Sequence, residues 1–265
     1  MRKRTIIMLA LLLASVVSMG QIRISNDRSV RVSRRVSMGV KLGVNDAVME
    51  YTDKEITSLK HTHMLKPIGG IYVELPVLRF FSVSPELMFM QRGTIVEWSW
   101  LGHPTTYTLN ARYLDFRIPL QFYWPVSNVF KPYVYVSPDF GYVLGGNITI
   151  DQPGGDMGSK DIAIGRANMK SFDMGLVLGI GFRFDVKLEK RYIYVKVEGA
   201  YNRGLLNTFS EKELEDNSQS ANVNAYNVSG ARYNRGYEVM ISVGMPFYKK
   251  GETCSYFRKQ RRNRW

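Results

Sequence analysis

The chain has little of what would stabilise or activate a secreted enzyme. A single cysteine, Cys254, rules out an intramolecular disulfide framework, so stability must come from strand pairing and packing. Three histidines, His61, His63 and His103, leave few candidates for a general base or a metal ligand set. Beyond the first 20 residues no stretch is apolar on every face for long enough to be a spanning helix, which needs roughly 20 such residues. A surplus of charge is also missing where it would matter. Of 36 Lys+Arg and 23 Asp+Glu, the residues from Val36 to Tyr248 hold equal numbers of each sign. The basic pI belongs to the two ends, which argues against a nucleic-acid-binding domain.

What is present begins with "MRKRTIIMLALLLASVVSMGQ": a basic start, an apolar run from Ile6 to Val17, and small residues at Ser18 and Gly20. That order predicts a secretory signal peptide over residues 1–20, cut before Gln21, in preference to a membrane anchor. With no cysteine directly after the run, a lipid anchor is not expected. A basic segment over 21–35 and a basic tail over 249–265 would then flank one domain over 36–248, of a size that suits a single all-β unit.

That domain alternates. In "FDMGLVLGIGFRFD" the large apolar residues occupy every second position from Phe172 to Phe184, and the intervening positions are mostly glycine or charged. A period of two means a strand with two unlike faces. The same pattern starts at Val36, Ile71, Phe81, Tyr113, Tyr133, Tyr192 and Tyr237, giving eight strands. Short turns near 78–80, 125–131 and 185–191 alternate with long polar joins over 45–66, 93–110, 145–170 and 207–235. Within the second long join, "TIVEWSW" and "TTYTLNA" read as strands continuing into a protruding hairpin. The expectation is an all-β fold: an eight-stranded antiparallel transmembrane β-barrel with four long outer loops and short periplasmic turns, both termini on the periplasmic side.

A soluble ligand barrel shares the leader and the alternation, but its apolar face would line the cavity. Here the polar face carries Lys41, Arg92, Arg117, Arg183 and Lys196 against Glu74, Glu86, Asp115, Asp139, Asp173, Glu198 and Glu238. The apolar face ends in aromatic residues: Phe81, Trp124, Phe184 and Phe247 near the short turns, and Phe89, Tyr142, Phe172 and Tyr201 towards the long joins. Aromatic girdles around an apolar band mark lipid interfaces, so the large face is expected to meet lipid and the charged face to fill the lumen as a structural lattice.

In order along the chain, "KLGVN", "VSPELMFMQRG", "YLDFRIPLQFYW", "PYVYVSPDFGYVLGG", "FDMGLVLGIGF" and "VEGAYNRGLLN" resemble the PorT-like outer-membrane β-barrel family over about Val36 to Tyr248. The resemblance implies a small outer-membrane barrel of the porin-type label, whose namesake belongs to the type IX secretion apparatus. The basic tail departs from the usual ending of such barrels.

Chemistry is sparse. "HTH" at His61–His63 lacks a partner cysteine or carboxylate at ligand spacing, and Asp151, Asp156 and Asp161 lack the spacing of a calcium loop. The glycines of "GYVLGG" and "GLVLGIG" lie within strands, where a phosphate cradle is not formed. No catalytic residue, metal or cofactor is expected. The expected role is a non-enzymatic scaffold or interaction component, with a passive porin and a lipid-modifying enzyme as alternatives. Expected partners are the outer-membrane lipids and a periplasmic or secretion-machinery protein bound through the basic ends, with no nucleic acid.

Overall fold

The computed structural model describes residues 36–51, 60–100, 103–124, 126–127, 129–154, 158–164, 169–187, 192–209 and 231–247. The expected signal peptide over 1–20, the basic segment over 21–35 and the basic tail over 249–265 lie outside them. Among the described residues there is no α-helix. The strands are β1 (Ser37–Tyr51), β2 (Lys60–Thr62), β3 (Met64–Pro76), β4 (Phe81–Val83), β5 (Glu86–Trp100), β6 (His103–Arg117), β7 (Leu120–Tyr123), β8 (Phe130–Gln152), β9 (Gly158–Ala163), β10 (Phe172–Lys187), β11 (Tyr192–Gly204) and β12 (Arg232–Pro246).

All pairings are antiparallel, and they close. β1 pairs β12 on one side and β3 on the other, and the ring continues through β5, β6, β8, β10 and β11. Eight staves result, because β4 continues into β5 and β6 into β7, each pair interrupted at a proline. Pro85 and Pro119 have no N–H to give the ladder. Their carbonyls keep it going: Val73 N donates to Pro85 O at 3.0 Å and Ser84 N to Pro119 O at 2.9 Å. Closure leaves no stave with an unpaired edge, the condition for strands to stand in hydrocarbon. Three short turns lie at one end with Val36 and Phe247, whose backbones bond at 2.8 Å. Four long connections lie at the other.

The alternation decides which face is which. Val40, Leu42, Ile71, Leu178, Ile180, Val239 and Ile241 are all at least half exposed and point away from the ring. The residues between them point inward and are buried. A soluble barrel would show the reverse, and an exposed apolar band of this extent needs lipid to cover it.

The long joins carry more strand than the sequence pattern suggests. β5 and β6 pair out to Trp100 and His103 as the expected hairpin. In the first join, β1 runs on to Tyr51 and the short β2 pairs β5. In the third, β8 runs on to Gln152 and turns back as β9. The reason this last piece reads as a polar loop is a bulge. Arg112 pairs Gly145 whereas Tyr113 pairs Val143, so Leu144 is the extra residue. Gly145 has φ of 146°, which costs a glycine little. Past the bulge the faces exchange parity: Asp139 and Gly141 point inward before it, Ile148, Ile150 and Gln152 after it.

On β6, which pairs across this bulge, parity is unbroken and polarity alone exchanges. Along β6 the outward residues change from Phe116 and Leu114 to Arg112, Asn110, Thr108 and Thr106. The inward ones change from Arg117 and Asp115 to Tyr113, Ala111, Leu109 and Tyr107. One continuous strand is therefore apolar-out where lipid surrounds it and apolar-in where water does. The inward apolar residues of β5, β6 and β8 pack with Met49 and Ile68, and with Ile164, Met169 and Phe209 from the connections, into one core. Met169 and Phe209 form an isolated bridge across that core. The interior is thus polar over the short-turn part of the barrel and apolar towards the long connections, which corrects the expectation of a polar face throughout.

Candidate functional site in the barrel interior

All the inward charges named from the sequence are buried: Lys41, Glu74, Glu86, Arg92, Asp115, Arg117, Asp139, Asp173, Arg183, Lys196, Glu198 and Glu238. They form three connected groups. Nearest the short turns, Glu74 takes Arg183 at 2.7 Å and Lys196 at 2.6 Å, and Arg183 Nε donates to Asp185 at 2.7 Å. Asp185 also holds Lys131, which is buried too. In the middle, Lys41 bridges Glu86 at 2.7 Å and Glu198 at 2.6 Å.

The third group is the largest. Arg92 faces three carboxylates: Asp115, Asp139 at 2.7 Å and Asp173 at 3.1 Å. Arg117 grips Glu238 with both terminal nitrogens at 2.7 Å and reaches Asp139 through Nε at 3.3 Å. Four carboxylates share two guanidinium groups here, and two amides make up part of the difference. Asn202 donates to Asp139 at 2.8 Å and Asn234 to Asp173 at 2.7 Å. A buried ion stripped of partners is costly by several kcal/mol, so the arrangement is stable only as a set.

Tyrosines fill the space between. The Lys196 ammonium lies 5.3–5.8 Å from the ring centres of Tyr72, Tyr123, Tyr133 and Tyr194, and the Arg183 guanidinium stacks 3.8 Å from Tyr194. Their rings cross glycines on the neighbouring stave. Tyr133 on β8, Gly181 on β10 and Glu198 on β11 share one rung, and the phenol passes over the glycine to donate to Glu198. Tyr72, Gly39, Gly244 and Tyr194 share another, with both rings leaning over the two glycines. This is why "GLVLGIGF" alternates large apolar residues with glycine: lipid takes the large side chains, and lumenal rings take the room of the absent ones. The cage and the Lys131–Asp185 pair were not singled out in the sequence. Their signal was there in the alternating tyrosines of "YVYV" and in the inward parity of both charges.

The aromatic residues named for the interfaces point outward. Phe89, Tyr142, Phe172, Phe184 and Phe247 are exposed, and Phe81, Trp124 and Tyr201 are half-buried among neighbours. Phe81 packs on Phe122 at 4.9 Å, Phe184 on Phe130 at 5.3 Å and Tyr201 on Tyr237 at 5.3 Å between ring centres. The histidines do not converge. His61 on β2 pairs Val96 on β5, His63 contacts Asp46 at 3.2 Å, and His103 sits at the tip of the β5–β6 hairpin. Asp161 accepts from Asn147 and Thr149 at the surface, hydrogen bonds that hold its carboxyl below the usual range. Asp151 is exposed apart from it, and Asp156 lies outside the described residues.

A family model described as outer membrane protein beta-barrel domain matches residues 20–210. No curated protein matches this sequence. Among solved structures, the outer membrane protein OprG from Pseudomonas aeruginosa is 13% identical, over 82% of this chain and 98% of that one, with a TM-score of 0.43. Neisserial surface protein A is 9% identical over 79% and 97%, with a TM-score of 0.39. Ail, the attachment invasion locus protein of Yersinia pestis, is 7% identical over 80% and 99%, with a TM-score of 0.34.

Proposed function

This chain belongs to the outer membrane protein β-barrel domain family, and on that premise we propose that it is a non-enzymatic scaffold or interaction component with a closed lumen. In this reading the long connections lie outside the cell and both ends in the periplasm. The outward aromatic residues anchor the barrel at the two lipid interfaces, and the inward charges crosslink the staves. The observation that carries the reading is the filled interior: three linked ion groups and a tyrosine cage below, an apolar core above. An eight-stranded barrel has room for little else. A water path would have to cross both an ion lattice whose members are bound to one another and a packed, largely apolar layer. In planar bilayers the full-length protein should therefore give no steady open-channel current. A large, reproducible conductance would instead establish the passive porin.

The ordered motifs shared with PorT-like barrels support a link to type IX protein secretion. Its carrier would be the basic ends: residues 249–265 hold seven Lys or Arg against Glu252 alone, a charge suited to an acidic partner or anionic headgroups. Cutting the chain after Tyr248 should leave the barrel heat-modifiable on a denaturing gel. It should also remove, from crosslinked membranes, those partners of the full chain that high salt releases. Partners unchanged by the truncation would leave the tail without a binding role.

A further inference from the structure

The lipid-facing band ends differently at its two ends. Towards the long connections, the outward residue two positions past the last large apolar one is a cation on four of the eight staves. Leu114 gives way to Arg112 on β6, Phe172 to Lys170 before β10, Tyr201 to Arg203 on β11 and Tyr237 to Arg235 on β12. At the short-turn end the corresponding described positions are apolar, among them Val36, Val77, Val186 and Phe247, with Arg79 in a turn.

Of these four cations, Arg203 has a carboxylate partner, Glu50, and Arg112, Lys170 and Arg235 lack one among the described residues. The Arg235 Nε is buried without a hydrogen-bond partner. Arg203 and Arg235 are partners in register across β11 and β12, a placement of like charges that is unfavourable unless an anion lies between them. Of the nearby acids, Glu50 is engaged by Arg203 and Asp46 by His63. Tyr201 and Tyr237, one step towards the band, pack against each other with tilted rings.

We propose that Arg112, Lys170, Arg203 and Arg235 form a basic collar that binds the phosphate groups of lipid headgroups in the leaflet at the long-connection end. The Arg203–Arg235 pair is its strongest position. Arginine presents a planar fork of donors that matches phosphate oxygens, and its stem lies along apolar surface while the head reaches the headgroup plane. The inference needs only the membrane-spanning barrel, not the scaffold role proposed above.

Native mass spectrometry of the full chain in detergent tests it, with phosphatidic acid, diacylglycerol of the same acyl chains, and inorganic phosphate as probes. Phosphatidic acid should remain bound and diacylglycerol should not, and millimolar inorganic phosphate should not displace the lipid. The variant with Arg112→Gln, Lys170→Gln, Arg203→Gln and Arg235→Gln should bind phosphatidic acid at least about tenfold more weakly. Should that variant fail to give a heat-modifiable barrel, Arg112→Gln with Lys170→Gln removes two cations that make no ion pair among the described residues and should still weaken binding several-fold. Arg79→Gln should leave it unchanged. Equal retention of both lipids, or binding indifferent to the collar substitutions, would overturn the proposal. Displacement by inorganic phosphate would overturn the lipid assignment in favour of a soluble anion.

Discussion

Replacing Arg117 with methionine should lower the unfolding free energy of the barrel by about 3–5 kcal/mol, read from the urea midpoint of protein folded into vesicles. The side chain is among the largest fully buried ones, and its guanidinium makes a two-point contact with Glu238 at 2.7 Å on both arms. Methionine matches the length of the stem and leaves little cavity, so the loss is electrostatic. Without Arg117, Arg92 would be left as the guanidinium serving Asp115, Asp139 and Asp173. Glu238 would keep only the Asn202 amide at 3.4 Å. Arg117→Lys should recover only part of the loss, because a point ammonium cannot hold both Glu238 oxygens and Asp139 together. Combining Arg117→Met with Glu238→Gln should cost less than the two single changes added, since the second removes the ion the first leaves unpaired. A loss below about 1 kcal/mol would mean that water or counterions solvate these carboxylates. That outcome would also weaken the case for a closed lumen.

How far such a lattice can be foreseen depends on which of its features are local. The staves were legible because a period of two over ten or more residues has one structural meaning, and the two faces differ in chemistry. Which charges share the inward face follows from parity alone. Their partners do not: Arg117 and Glu238 are 121 positions apart and meet only because the ring closes in one register. The interior core near the long connections was hidden for a different reason. The rule "apolar means outward" holds only at membrane depth, and "NITIDQ" after the Leu144 bulge obeys the rule for water. Asn147, Thr149 and Asp151 face out and Ile148 and Ile150 face in. Read with the rule of the preceding strand, the segment has the parity of a mistake and looks like loop. Glycine was legible as a class but not in purpose, because the ring that crosses Gly181 belongs to a stave some fifty residues earlier.

Gly181→Val should destabilise the barrel by about 3 kcal/mol, the sum of an overpacked core position and a lost hydrogen bond to a buried carboxylate. A Cβ at Gly181 would overlap Tyr133 at Cζ, at the hydroxyl and at the ring edge. Tyr133 is itself fully buried, with Tyr123 and Tyr135 against it at 4.8 and 6.2 Å between ring centres, so it has no free direction in which to swing. Any displacement that admits the new side chain pulls the phenol away from Glu198, which would then keep Lys41 as its remaining partner. Gly199 supplies the contrast within the next stave. Nothing lies within 4 Å of a Cβ built there, and its position faces lipid, so Gly199→Ala should be neutral or slightly stabilising. If strain over the ring is the cause, Tyr133→Ala should make Gly181→Val nearly harmless, although Tyr133→Ala alone should be costly because it empties the rung and strips Glu198. Equal losses for Gly181→Val and Gly199→Ala would refute this account, since they would trace the effect to the strand backbone rather than to the lumen. A full loss that persists in the double variant would place the cost in the β10 ladder itself.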